Sequence, residues 1–412
     1  MAKALFFNVP AHGHITPSLP LVGELVRRGH RVTYFATGRF RAGIEAAGAT
    51  FQAYASIPDD YFESDGLSGK APQRAIHALM TTTQAVLPDL LEIARRAQPD
   101  VVLFDGMCPW GYFVARIMGV PAVISLALMP LITPPIRAML RPYMLRVIAS
   151  ALFTDFDKGV ASNRISSALG KRYGIAPLGP TALMNAIGDI ALSYTSRYFQ
   201  PWADRAPDAL RFVGWTPMEN AADDATSLRP AQGRHLIYAS LGTVNNDDST
   251  FFRACIDAYA DGEHDLLIST GNGIRPDFFG ALPSNITVRS WVPQVAVLKQ
   301  AALFITHGGM NSIHDGLYFG VPLLLVPQQG EQTINAMRVA ELGAGIVLDK
   351  ARVTSEIVKT QADRLLSAPG FKAEARRIGD TFRAAGGAPK AADEVEALLT
   401  NRRPAAKFHA TG

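Results

Sequence analysis

The chain has 412 residues, 48% of them hydrophobic and 18% charged, a globular balance that excludes a disordered chain and allows two domains with separate cores. Net charge is +4 with a pI near 9.0, without a dense Lys/Arg block or basic-aromatic stripe, which argues against nucleic-acid binding. Only Cys108 and Cys255 are present, which excludes a disulfide framework and points to a reducing, cytoplasmic compartment.

Lys3–Val9 reads as a first strand and not as a signal peptide. Pro17–Gly29 has helical spacing, with Leu19, Val22, Leu25 and Val26 on one face, and Arg31–Ala36 is a second strand. A short helix Arg39–Ala47, a strand Thr50–Tyr54 and a polar, Gly-rich loop Ser56–Pro72 follow. Gln73–Ala97 predicts a long helix interrupted near Pro88. Val101–Phe104 is a buried strand, Gly111–Met118 a helix and Ala122–Ser125 another strand. Pro121–Pro135 is the longest apolar stretch, too short and too Pro-rich for a transmembrane segment. Residues 217–233 lack apolar periodicity and read as a linker. Beyond it strands recur at His235–Ala239, Asp265–Ser269, Thr287–Arg289, Leu303–Thr306, Pro322–Val326 and Gly345–Leu348, and helices run from Ser355 to Asn401. The alternation predicts an α/β chain of two doubly wound, Rossmann-like domains, 1–216 and 234–401, with the last helix free to pack back on the first domain and a tail 402–412. Neither domain carries a Gly-x-Gly-x-x-Gly after a strand, and Gly66–Ala71 lacks P-loop spacing, so dinucleotide oxidoreductase and P-loop chemistry are disfavoured.

The most informative segment is Trp291–Ala336. Between strand Leu303–Thr306 and helix Asn311–Phe319 lies His307-Gly308-Gly309-Met310, and Asn311 and Ser312 open the helix. Glycines there admit close backbone approach, and a helix N-terminus attracts a diphosphate without a metal. Asp315, one turn further on, can accept bonds from ribose hydroxyls. Trp291 offers a plane to a base, and Glu331 and Gln332 after the next strand suit a sugar's hydroxyls. Singly, each has a plain structural alternative: a turn, a core tryptophan, a solvated charge.

Together they resemble the donor signature of the nucleotide-sugar-dependent glycosyltransferases of GT-B fold, which face two Rossmann-like domains across a donor/acceptor cleft. Within these the chain looks most like the bacterial macrolide-type group (glycosyltransferase family 1), over nearly its whole length. The resemblance implies that Trp291 stacks on uracil, with Val292 beside it, and that Gln294 touches the nucleoside. It implies that His307, Gly309, Met310, Asn311 and Ser312 hold the diphosphate and that Glu331 and Gln332 bind the sugar. Ser240-Leu241-Gly242-Thr243 matches a further family turn, which makes Thr243 a phosphate contact. Asp315 stands where the family usually has Glu, so its ribose contact is expected to be weaker or bridged by water.

The base is sought at the other domain. His12 and His14 follow the first strand and Asp105 the fourth, and these strands are neighbours in a doubly wound sheet. His14 can then take a hydroxyl proton while Asp105 fixes its tautomer. The structural alternative is that both cap helices. Gly13-His14-Ile15-Thr16-Pro17 matches the family's Gly-His with Pro three residues after the His, which selects His14; His12 lies near the phosphates or simply in the turn. Two His at i, i+2 also raise zinc, but no third ligand is apparent.

Met107, Trp110, Met129, Met139 and Met144, within an apolar stretch, are candidates for an acceptor surface, with core packing as the equal alternative. The expectation is an inverting UDP-hexose transferase, glucose foremost, acting on a hydroxyl of a small hydrophobic acceptor (flavonoid, phenol or macrolide), metal-independent and monomeric or weakly dimeric. A sugar-nucleotide epimerase and a non-catalytic helper are the alternatives.

Overall fold

The computed structural model describes residues 1–61, 72–130, 132–135, 154–179, 188–218, 230–242, 247–328 and 330–401. The chain divides into two compact units, Met1–Tyr194 with Trp202–Val213 and Gly386–Gly412, and Thr195–Pro201 with Gly214–Ala385.

Unit 1 is built on strands β1 (Lys3–Phe7), β2 (Arg31–Ala36), β3 (Thr50–Ala53), β4 (Val101–Asp105), β5 (Ala122–Leu126), β6 (Ile190–Ser193) and β7 (Leu210–Phe212). Their order is β3-β2-β1-β4-β5-β6-β7 and every pairing is parallel. β4 and β5 are buried along their whole length, as the near-continuous apolar runs of a sheet covered on both faces require. The chain winds one way through β2 and β3, then crosses to β4 on the other side of β1, which opens a crevice at the carboxyl ends of β1 and β4.

Four helices of this unit matter for the site. They are α1 (His12–Ile15), α2 (Leu19–Arg27), α3 (Pro72–Ala97) and α4 (Pro109–Met118). The expected interruption at Pro88 does not occur: α3 runs through it as one helix. Leu87, Leu90 and Leu91 are buried beside the proline, so packing outweighs the lost backbone hydrogen bond.

Unit 2 carries β8 (Leu236–Ser240), β9 (Asp265–Ser269), β10 (Ile286–Arg289), β11 (Ala301–Thr306), β12 (Leu323–Leu325) and β13 (Gly345–Val347), in the parallel order β10-β9-β8-β11-β12-β13. Its switch point lies between β8 and β11, where Ser240 pairs with Thr306. Among the helices that follow strands here are α5 (Gln294–Leu298), α6 (Met310–Tyr318) and α7 (Gly330–Glu341).

Two segments join the unit that chain order alone would not give them. Thr195–Pro201 belongs to unit 2, because Arg338 donates to the carbonyls of Tyr198 and Phe199 and Ser196 bonds Thr381. The last helix, α8 (Gly387–Thr400), belongs to unit 1. It lays Ala388, Ala391, Ala392 and Val395 into the fold, and Arg28, just after α2, bonds Asp393 and Glu396 at 2.7 Å each. Residues 219–229 of the expected linker and the tail from 402 lie outside the described residues. No described helix is long and apolar enough to cross a membrane.

Candidate active site

β1 ends at Phe7, and the chain turns through Val9-Pro10-Ala11 into the single helical turn α1. His14 is buried there. Asp105 closes β4, hydrogen-bonded neighbour of β1, so adjacent strand ends bring together residues 91 apart in sequence. Nδ1 of His14 lies 3.0 Å from Oδ2 of Asp105, and Oδ1 accepts the Met107 N–H at 2.8 Å. A carboxylate only accepts, so Nδ1 carries a proton and, in the neutral ring, Nε2 is the acceptor. His14 is a buried, oriented acceptor and caps no helix.

The switch point of unit 2 has a different character. His307 follows β11, and its ring fills the space that side chains on two glycines would take. A Cβ on Gly242 would lie 2.6 Å from the imidazole, and one on Gly309 2.4 Å. Of the two glycines in the turn before α6, Gly309 thus has its Cβ space taken by the imidazole. Burial lowers the His307 pKa to about 4, so the ring is neutral near pH 7. Gly309 caps α6, whose first intrahelical bond is Ile313 N–H to Gly309 at 3.0 Å. The first-turn amides of Met310, Asn311 and Ser312 belong to the positive end of a helix dipole. The Met310 side chain itself is buried in the fold.

Asp315, one turn on, is 7% exposed. Its Oδ1 accepts from Trp215 Nε1 at 2.7 Å and its Oδ2 from Gln294 Nε2 at 2.9 Å. Burial pushes its pKa up to about 6, against the two hydrogen bonds. Trp291, after β10, is 67% exposed with a face available for stacking, whereas the Val292 side chain is buried and leaves only its main chain for a ligand. Glu331 and Gln332 lie in the first turn of α7. Gln332 Oε1 accepts the Gln328 N–H at 2.8 Å and Glu331 Oε1 the Asn335 amide at 3.3 Å, so both are anchored.

Comparison with known proteins carries the family. The family model for the C-terminal domain of erythromycin biosynthesis protein CIII-like proteins matches residues 253–398. The NDP-glycosyltransferase YjiC of Bacillus licheniformis is 32% identical over 397 residues, 95% of this chain and 96% of that protein. The oleandomycin glycosyltransferase of Streptomyces antibioticus is 32% identical over 410 residues, 97% of this chain and 92% of that one. This chain belongs to the bacterial macrolide-type glycosyltransferases. The solved glycosyltransferase of kitacinnamycin agrees in fold, with a TM-score of 0.83 at 29% identity over 97% of this chain and 99% of that chain. The two parallel-sheet units are those of a GT-B enzyme.

In this glycosyltransferase the expected acceptor residues divide. Met107 and Met129 are half-buried near the ends of β4 and β5. Trp110 is 0% exposed, and its Nε1 donates to the Tyr54 hydroxyl at 3.1 Å. It is a core residue and offers no surface to an acceptor, a correction that follows from α4 lying against β4. Thr243, Met139 and Met144 lie outside the described residues, as do 62–71 of the loop after β3. Two features went unseen in the sequence. Trp215 reaches Asp315 from 100 residues away, with no local signal. His314 is buried beside it, its ring stacked on Trp215 at 5.0 Å and Nε2 3.0 Å from Thr195 Oγ1. Among the described residues no group of three or more His, Cys, Asp or Glu is placed to hold a metal.

Proposed function

We propose that this glycosyltransferase is inverting and moves a hexose, glucose foremost, from a UDP-sugar to a hydroxyl of a small hydrophobic acceptor. The observation that carries the reading is His14, buried, with Nδ1 on Asp105 at 3.0 Å, a contact that in the neutral ring makes Nε2 the accepting nitrogen. The acceptor O–H gives its proton to Nε2. Its oxygen forms a bond to the anomeric carbon as the bond to the β-phosphate oxygen breaks, and UDP departs with that electron pair. Asp105 stabilises the imidazolium that forms. In unit 2 the Trp291 face suits uracil, and His307 and the first turn of α6 suit the diphosphate. The charge of the leaving group then meets neutral donors and a helix dipole, which supports a metal-independent reaction. Glu331 and Gln332 suit sugar hydroxyls. Relatives named for oleandomycin and kitacinnamycin favour a bulky natural product as acceptor.

His14→Ala tests the reading in a UDP-glucose consumption assay with phenolic and macrolide acceptors. Transfer is expected to fall at least about 1,000-fold while UDP affinity stays within about twofold. Near-normal turnover would sink the assignment. Wild-type rates are expected to survive excess EDTA; a loss restored by a divalent ion removes the metal-independent part.

A further inference from the structure

Beneath the turn that carries His14 lies a relay of buried side chains that this chemistry does not use. Asn8 follows β1 and is fully buried. Its Nδ2 donates to the His14 carbonyl at 3.1 Å and to the Tyr34 hydroxyl at 2.7 Å. Tyr34, on β2, lies 2.7 Å from Ser18 Oγ, which donates to the Ile15 carbonyl at 2.8 Å. Carbonyls only accept, so each proton has one direction. The Ser18 proton goes to Ile15, the Tyr34 proton to Ser18, and Asn8 gives one amide proton to Tyr34 and the other to His14. From the other side, Trp110 Nε1 donates to Tyr54, whose hydroxyl donates to the Asn8 carbonyl at 3.0 Å. Burial pushes both phenols well above their ordinary range, which keeps them protonated as donors. Trp110 opens α4, five residues after Asp105, so the relay joins the Asp105 side of the crevice to the carbonyls of His14 and Ile15.

α1 is only four residues long and runs on through the 3-10 turn Thr16–Ser18 into α2, so its own internal bonds are few and side-chain bonds to its carbonyls add to its hold. The His14 ring is useful only where Nδ1 stays within hydrogen-bonding reach of Asp105, and a shift of about 1 Å ends that contact. We propose that Asn8 and Tyr34 are positioning residues that lock α1 so that His14 keeps its tautomer and aim. The proposal rests on His14 as the base.

Tyr34→Phe removes one oxygen with little change of shape. NMR on protein labelled with 15N-histidine, with the His14 signal assigned by its loss in His14→Ala, reads the ring directly. Wild type is expected to show the Nδ1–H tautomer, and Tyr34→Phe and Asn8→Ala a mixture. In the UDP-glucose assay kcat is expected to fall about 10- to 100-fold with the KM for UDP-glucose held within about twofold. Should Tyr34→Phe not fold, Ser18→Ala removes the Ile15 anchor and the acceptor of the Tyr34 proton while keeping the Tyr34 ring, and is expected to mix the tautomers in the same direction. A wild-type tautomer with kcat within about twofold overturns the proposal. So does a loss of kcat matched by an equal loss of UDP affinity, which marks general damage. If His14→Ala retains turnover, the base assignment fails, and the tautomer ratio alone then decides the relay.

Discussion

Asp315 stands where the family usually has Glu, one methylene longer. The sequence led to a weaker or water-bridged ribose contact at this position. In the fold it faces inward, with one oxygen on Trp215 and the other on Gln294. Gln294, half-buried above it, has its amide nitrogen engaged and its carbonyl oxygen 3.5 Å from the Tyr238 hydroxyl. A direct charged bond to the ribose 2′-hydroxyl is worth about 1.5–3 kcal/mol, or roughly 10- to 150-fold in affinity. With both oxygens occupied, UDP and 2′-deoxyuridine diphosphate are expected to bind within about threefold of each other by calorimetry. A tenfold or larger preference for UDP would put Asp315 back on the ribose. The His14–Asp105 pair was legible in the sequence because strand order alone makes β1 and β4 neighbours. The Trp215 partner was not, since no periodicity links positions 100 residues apart. Trp110 was left between pocket and core for a related reason: an aromatic at the start of a helix after a strand has the same pattern whether it lines a pocket or fills the core.

At the scale of elements, α6 places two buried titratable groups side by side with opposite pH behaviour. Burial lowers the His314 pKa from 6.5 to about 3. The unfolded chain therefore binds a proton below about pH 6.5 that the folded chain refuses. Stability contributed by this group is full above that pH and is lost as pH falls toward 3, with a slope of about 1.4 kcal/mol per pH unit. Asp315 is raised from 3.8 to about 6, so its contribution is full below 3.8 and is lost as pH rises through about 6. Between about pH 4 and 6 the two oppose each other, one proton taken up and one released on unfolding. His314→Gln removes one side. Measured by denaturant unfolding, the variant is expected to gain on wild type by about 1.4 kcal/mol for each pH unit of acidification from 6 to 4; parallel curves would refute the linkage. Elements with dense apolar runs were legible, Arg31–Ala36 and Asp265–Ser269 to the residue. Ile190–Ser193 and Leu210–Phe212 were missed because four and three residues are too few to show a period.

Over the whole molecule, chain order and unit order part company at the last helix. α8 comes after all of unit 2 yet completes unit 1. Its charged face meets Arg28, Arg211 and His30, with Arg211 Nε 2.9 Å from Glu394 and His30 Nε2 2.9 Å from Glu396. Hydrogen bonds to Arg27 and Arg28 hold the Glu24 carboxyl down to about 2, so that cluster stays ionised at neutral pH. Arg28→Ala removes the bonds to Asp393 and Glu396 and one of those to Glu24, which keeps Arg27, and is expected to lower the melting temperature by about 2–6 °C, more at low salt than at high. An unchanged melting curve would show that the apolar face of the helix suffices. The same placement has a consequence for synthesis. A ribosome delivers the chain from its N-terminus, and domains generally fold as they emerge. Unit 1 is begun first but lacks α8 until residue 400 has left the exit tunnel, by which time unit 2 has been made in full. The nascent first unit must wait, without the helix that covers Arg28 and its neighbours, through the synthesis of more than a hundred residues that belong to its neighbour.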